Sequence, residues 1–234
     1  MECQVYQAIP AAELAAGPHA YLDEAERERW QALRRAADRT RFATAAVLLR
    51  TVAGWALKVD PTQVRVVRAC PDCDRAHGRP MVPDSDLQVS MSHAGDVVLV
   101  ALTRGSVPIG VDVEQIDRVL TVDDFVRFAL GPAERERIRR VDGQVDQAAF
   151  FRIWTRKEAI LKATGDGLRV PMSSLTLTPE GGLLEYPGRP GFAARIVGFD
   201  TGTGYAAALA ALTDDELVIR HVAADRWLTQ SPSD

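Results

Sequence analysis

Two short stretches carry side chains whose types and spacing suit chemistry: "GVDVE", residues 110–114, and "WTRKEAILK", residues 154–162. Valines and acids alternate in the first, so a strand would turn Val111 and Val113 to one face and set Asp112 and Glu114 about 7 Å apart on the other. The second reads as a helix. Stepping about 100° per residue from Trp154 places Arg152, Thr155, Arg156, Ala159 and Ala163 on one arc, expected to face water. Phe150, Ile153, Trp154, Ile160 and Leu161 fill the opposite arc; Lys157 and Glu158 fall inside it, and Lys162 lies at its edge. On a solvated face, Glu158 and Lys162 would be a surface pair worth about 0.2–0.5 kcal/mol. On an apolar arc, charges must find partners or a wet cleft, because desolvating them alone is costly. Spacing leaves two readings open. One is a buried structural ion pair; the other is a cleft where Asp112, Glu114 and Glu158 share a hard cation while lysines meet phosphate.

All-oxygen ligation suits Mg²⁺ or Mn²⁺ better than zinc, and Mg²⁺ is usually held by a few carboxylates together with substrate phosphates. The implied substrate carries a diphosphate. "SMSHAGD", residues 90–96, adds Ser92, His93 and the amides near Gly95 in a turn between two strands, a phosphate-contacting arrangement that is weak by itself.

The elements that must position these residues read as two successions of helices followed by strands. Residues 22–38 are rich in Glu, Arg and Ala with helical spacing, and a second helix follows through "TRFATAAVLLRTVAGWAL". Residues 64–69, 87–91 and 97–102 then read as strands from their β-branched content and turn-rich flanks. "RGSVPIG" (104–110) is the candidate link, and "VDVEQI" continues it as a strand. The pattern restarts with "TVDDFVRFAL", with "GPAERERIRR" carrying proline at a helix start, and with a long helix capped by Asp146 and ending at Gly165. Strand-like "SLTLT", "AARIVGF", "YAAALAAL" and "ELVIRHV" follow. The expected fold is α+β in two similar halves, residues 1–106 and 107–234, the second carrying the metal and catalytic motifs.

The chain has 234 residues, 47% of them hydrophobic and 26% charged, which is ordinary for a globular protein large enough to bury one or two cores. A net charge of −4 gives no global reason to bind nucleic acid or an anionic membrane, so any anion site must be local. Glu2 stands where a signal peptide wants positive charge, and no apolar run approaches the roughly 18 residues of a span. Three cysteines are too few and too odd in number for a disulfide framework. These features predict a cytoplasmic protein.

The ordered set "HGRP" (77–80), "SMSHAG", "GVDVE" and "WTRKEAILKATGDGL" resembles the surfactin-type 4'-phosphopantetheinyl transferases. The last two motifs, some 40 residues apart, are the specific ones, and the likeness runs from about Arg41 to Leu168. It implies two similar α+β halves related by pseudo-twofold symmetry, a monomer, and coenzyme A bound in the cleft between the halves. It further implies Mg²⁺ on Asp112, Glu114 and Glu158, phosphate contacts from Lys157, Lys162 and His93, and Ser92 nearby. Arg79 stands where the family usually has lysine, and Arg41 and Arg50 match basic positions expected near the 3'-phosphate or adenine. The implied reaction is attack by a serine hydroxyl of an apo carrier protein on the β-phosphorus of coenzyme A, with 3',5'-ADP leaving. Glu158 is the expected base and Glu114 the alternative. Phe125 and Phe128 resemble part of a carrier-docking helix pair, or a stripe packed on the core.

Two other functions stay open. The same carboxylates would serve a metal-dependent nucleotide or pyrophosphate hydrolase. Cys70, Cys73 and His77 in "CPDCDRAHG" supply three zinc-type ligands, which would suit a zinc-stabilised interaction module.

Overall fold

"LQVSMSHA" and "VVLVALTR" are β-branched runs separated by Gly95 and Asp96, and they fold as an antiparallel hairpin in the register Ala94↔Val97 through Leu87↔Arg104. In the computed structural model, which describes all residues except 12, 15, 16, 71, 74–77, 117–122 and 230–234, that hairpin joins a larger sheet. In chain order the elements are β1 (Glu2–Ala8), α1 (Glu24–Ala32), α2 (Ala36–Leu57), β2 (Leu87–Ala94), β3 (Val97–Arg104), β4 (Ile109–Gln115), α3 (Asp123–Ala129) and α4 (Pro132–Arg137). There follow α5 (Gln147–Thr164), β5 (Thr176–Leu177), β6 (Leu183–Glu185), β7 (Arg195–Gly198), β8 (Tyr205–Ala211), β9 (Val218–Ala223) and α6 (Arg226–Thr229).

Residues 2–106 and 219–234 form one compact unit; Met1 and 107–218 form the other. Both are α+β. The first has the sheet order β2-β3-β1-β9, with α2 packed on β2 and β3. Alanines and branched residues from Ala43 to Gly54 bury one long side of α2 against Val89, Val98 and Val100. Asp23 and Glu26 make a reciprocal capping box that starts α1.

Three expectations are corrected here. The first is the second domain boundary: residues 219–229 return to the first unit, where β9 completes the sheet beside β1. Second, residues 64–69 make no strand, and among the described residues they form only the isolated bridge Val67↔Met81; the stretch has arginine at 65 and 68. Third, β1, with Cys3 and Val5 fully buried, is a strand that the sequence reading did not assign.

The second unit has the sheet order β4-β8-β7 with α5 lying on β4 and β8. Asp146 accepts from the Ala149 amide to start α5, and Gly165 ends it at φ +74, a left-handed conformation that glycine adopts without strain. Small residues fix how near the helix comes. Ala206, Ala208 and Ala210 of β8 pair with Glu114, Asp112 and Gly110 of β4. A Cβ at Gly110 would run into the Ala159 carbonyl and the Ala163 amide of α5. Most of the arc expected to face water is therefore against the sheet: Thr155, Ala159 and Ala163 are buried there, Arg156 is half-buried and only Arg152 is exposed, and Thr155 satisfies its hydroxyl on the Phe151 carbonyl at 3.0 Å. Phe150, Ile160 and Leu161 are buried as well, so α5 is covered on both sides.

Candidate active site

The site is built on the face that β4 turns to α5. Register places Gly110, Asp112 and Glu114 on one side of the strand, with Val111 and Val113 on the other. That acidic side does not face water: α5 covers it, leaving Asp112 only 4% exposed and Glu114 half-buried. Lys162, near the C-terminal end of α5, donates to Asp112 Oδ1 at 2.7 Å and to the Val111 carbonyl at 3.1 Å. Glu158 lies one turn earlier on the same helix, also half-buried.

Electrostatics tie the three acids together. Burial, then the charge of Asp112, and to a smaller extent that of Glu158, push Glu114 up to about 7; Lys162 and the Trp154 indole oppose this. Burial and Asp112 likewise raise Glu158, against the pull of Lys162. Three carboxylates against one ammonium make a locality that favours a further cation. The donor chemistry suits Mg²⁺. The ligand set is nevertheless not preassembled: among the described residues no three His, Cys, Asp or Glu side chains come close enough together to hold a metal. Lys162 engages Asp112 there.

Lys157 is corrected. It is not a phosphate contact but is 0% exposed, with its ammonium donating to Glu134 Oε2, the Ala129 carbonyl (2.8 Å) and the Met172 carbonyl (3.1 Å). Three donors and three acceptors leave it nothing to offer a substrate. Arg50 is also buried. At 2% exposure it pairs with Glu26 at 2.7 Å inside the first unit, where its guanidinium joins α1 to α2.

Within the first unit the structure does bring other expected residues together. Arg41 donates to the Gly95 carbonyl at 3.1 Å while pairing with Asp38 at 2.7 Å, which sets its guanidinium beside the turn that follows Ser92 and His93. His93 is exposed and Ser92 half-buried. Arg79 donates to the Gln88 side chain, and burial lowers its pKa. Cys70 and Cys73 are half-buried and, among the described residues, in no disulfide, while His77 lies outside the described residues.

Trp154, set on the apolar arc by the wheel, packs against Phe125, Phe128 and Phe150 at centroid distances of 6.3, 6.4 and 5.8 Å, joining α3 to α5. One residue escaped the sequence reading. Glu134, the buried partner of Lys157, sits three residues after Gly131 and accepts its amide at 2.9 Å. Proline at 132 followed by glutamate at 134 was the available sign of a capped helix start, but nothing in it announces burial.

An α+β unit that sets three carboxylates and a lysine between one strand and one helix defines a candidate metal- and phosphate-handling site. Residues 108–210, which contain it, match the family model of the 4'-phosphopantetheinyl transferase superfamily. By that segment the chain resembles this superfamily. It is similar to the 4'-phosphopantetheinyl transferase HetI of Nostoc sp., 33% identical over 60% of this chain and 59% of that one. It is also similar to a phosphopantetheinyl transferase of Thraustochytrium sp., 33% identical over 69% and 59%, and to Sfp of Bacillus subtilis, 25% identical over 67% and 66%. The chain thus spans about 59% of the length of the first two relatives. Among the described residues, no helix is long and apolar enough to cross a membrane.

Proposed function

We propose that the protein transfers the 4'-phosphopantetheine arm of coenzyme A to a serine of an apo acyl or peptidyl carrier protein, of the kind used in polyketide and nonribosomal peptide synthesis. The observation that carries this reading is the joining of Asp112, Glu114, Glu158 and Lys162 by β4 and α5, inside the segment that matches the superfamily. The serine oxygen attacks the β-phosphorus, the bond to the α-phosphate oxygen breaks, and 3',5'-ADP leaves with that oxygen. Glu158 takes the serine proton, with Glu114 as the alternative acceptor. Lys162 offsets charge on the phosphoryl oxygens. Asp112, Glu114 and Glu158 would hold Mg²⁺, which supplies positive charge to the same oxygens when bound. Arg41, Arg79, Ser92 and His93 are assigned as coenzyme A contacts by their place in the motifs. The protein acts as a cytoplasmic monomer, a setting in keeping with a chain that has only three cysteines.

The test is incubation with coenzyme A, Mg²⁺ and an apo carrier, followed by mass spectrometry of the carrier. A mass gain equal to the phosphopantetheine arm, lost on adding EDTA, supports the assignment. Cleavage of coenzyme A without any carrier would instead favour a hydrolase built on the same carboxylates.

A further inference from the structure

Lys157 and Glu134 form a buried strut where four segments meet. Glu134 is fully buried and its carboxylate is saturated: Oε2 accepts from Lys157 Nζ and from the Gly131 amide at 2.9 Å, and Oε1 accepts from the Leu177 amide at 3.1 Å. Lys157 adds its bonds to Ala129 and Met172. The pair thus ties the end of α3, the α3–α4 turn, the turn at 172–174 and β5 to one point on α5. Glu158 is the next residue along α5, and Trp154 lies one turn back.

Stability alone does not call for such a pair, because buried ion pairs replaced by apolar residues of similar volume are often as stable or more so. An apolar pair lacks the direction of these bonds. α5 can neither turn nor slide against α3 without breaking them. A turn of about 10° in a helix moves a carboxylate at its surface by roughly 1 Å. A misplacement of that size at a reacting centre costs about 100-fold in rate. We propose that Glu134 is a positioning residue for the transfer reaction, acting through Lys157 to hold Glu158 and Trp154 in register with Asp112 and Glu114. This rests on the transferase reading.

Lys157→Met alone strands a buried carboxylate and is the variant at risk of not folding. The double variant E134Q/K157M removes both charges, fills the volume and keeps an oxygen for a backbone amide. The protein would be labelled with 5-fluorotryptophan and compared with wild type by thermal unfolding, by ¹⁹F NMR, and by kcat and KM with coenzyme A and an apo carrier. The double variant should fold, shift the Trp154 resonance while those of Trp30, Trp55 and Trp227 stay, and lose roughly 100-fold in kcat with KM for coenzyme A changed about twofold or less. A folded double variant with an unmoved Trp154 resonance, or with kcat within about threefold of wild type, overturns the proposal. Wild-type protein that transfers nothing to any apo carrier would sink the transferase reading instead, and the ¹⁹F comparison would still test the strut.

Discussion

Replacing Lys162 by Met should destabilise the protein through Asp112 rather than through lost packing. The methionine keeps most of the lysine stem's volume. What disappears is an ammonium 2.7 Å from a carboxylate whose side chain is 5% exposed and which already feels Glu114 and Glu158. Breaking a buried pair by removing one partner costs about 3–5 kcal/mol. Lys162 keeps 30% of its side-chain exposure, so water reaches the vacated position and the low end, about 3 kcal/mol, applies. For a chain of this size that corresponds to a fall in Tm of about 6–12 °C. The assay is thermal unfolding by circular dichroism in EDTA, run as a double-mutant cycle with Asp112→Asn. Neutralising Asp112 in the K162M background should restore most of the loss, giving a coupling energy of about 2 kcal/mol. Mg²⁺ added to K162M should raise Tm more than it does in wild type, the ion replacing the ammonium beside three acids. If K162M melts within about 2 °C of wild type, or D112N/K162M is no better than K162M, Lys162 is a surface lysine and the electrostatic account of the site fails.

Asp112→Ala should abolish Mg²⁺-dependent transfer while changing stability by only about 1 kcal/mol, since it leaves behind a lysine that can turn toward water; near-normal turnover with apo carrier would sink the metal assignment. Gly110→Ala should destabilise the second unit by about 3 kcal/mol or more, because the new Cβ meets backbone rather than a movable side chain, and an unchanged Tm would contradict the helix–sheet approach described. Cys3 is fully buried beside the Leu102 carbonyl and its thiol is pushed up to about 12 by that burial. A thiol reagent at mild alkaline pH should therefore label Cys70 and Cys73 in the native protein and Cys3 only after unfolding, as mass spectrometry of quenched samples would reveal.

The strand and helix that carry the site were legible because their signals are local. Alternation fixed the faces of β4, and Asp146 and Gly165 marked both ends of α5. The return of residues 219–229 to the first unit was not legible. Strand β9 is mostly exposed, with no pattern naming β1 as its neighbour across more than 200 residues of sequence.

The resemblance gave Lys157 to phosphate, while the wheel, which put it on the apolar arc, left a buried ion pair open; the wheel failed instead in the arc it gave to water. A helical wheel gives angles about one axis and assumes one wet side. α5 has none to spare: bulky Phe150, Ile160 and Leu161 fill one side, and Thr155, Ala159 and Ala163 fit the close approach of a sheet that is itself glycine and alanine at the contact. Small side chains opposite large ones mark a helix packed between two layers, not a helix with a solvent face. On such a helix a lysine with no route to water must be satisfied by protein, and here the end of α3 and Glu134 supply the acceptors. Of the two motif lysines, Lys162, nearer the helix end, therefore keeps both an acid partner and solvent access, while Lys157 spends all its donors inside the protein.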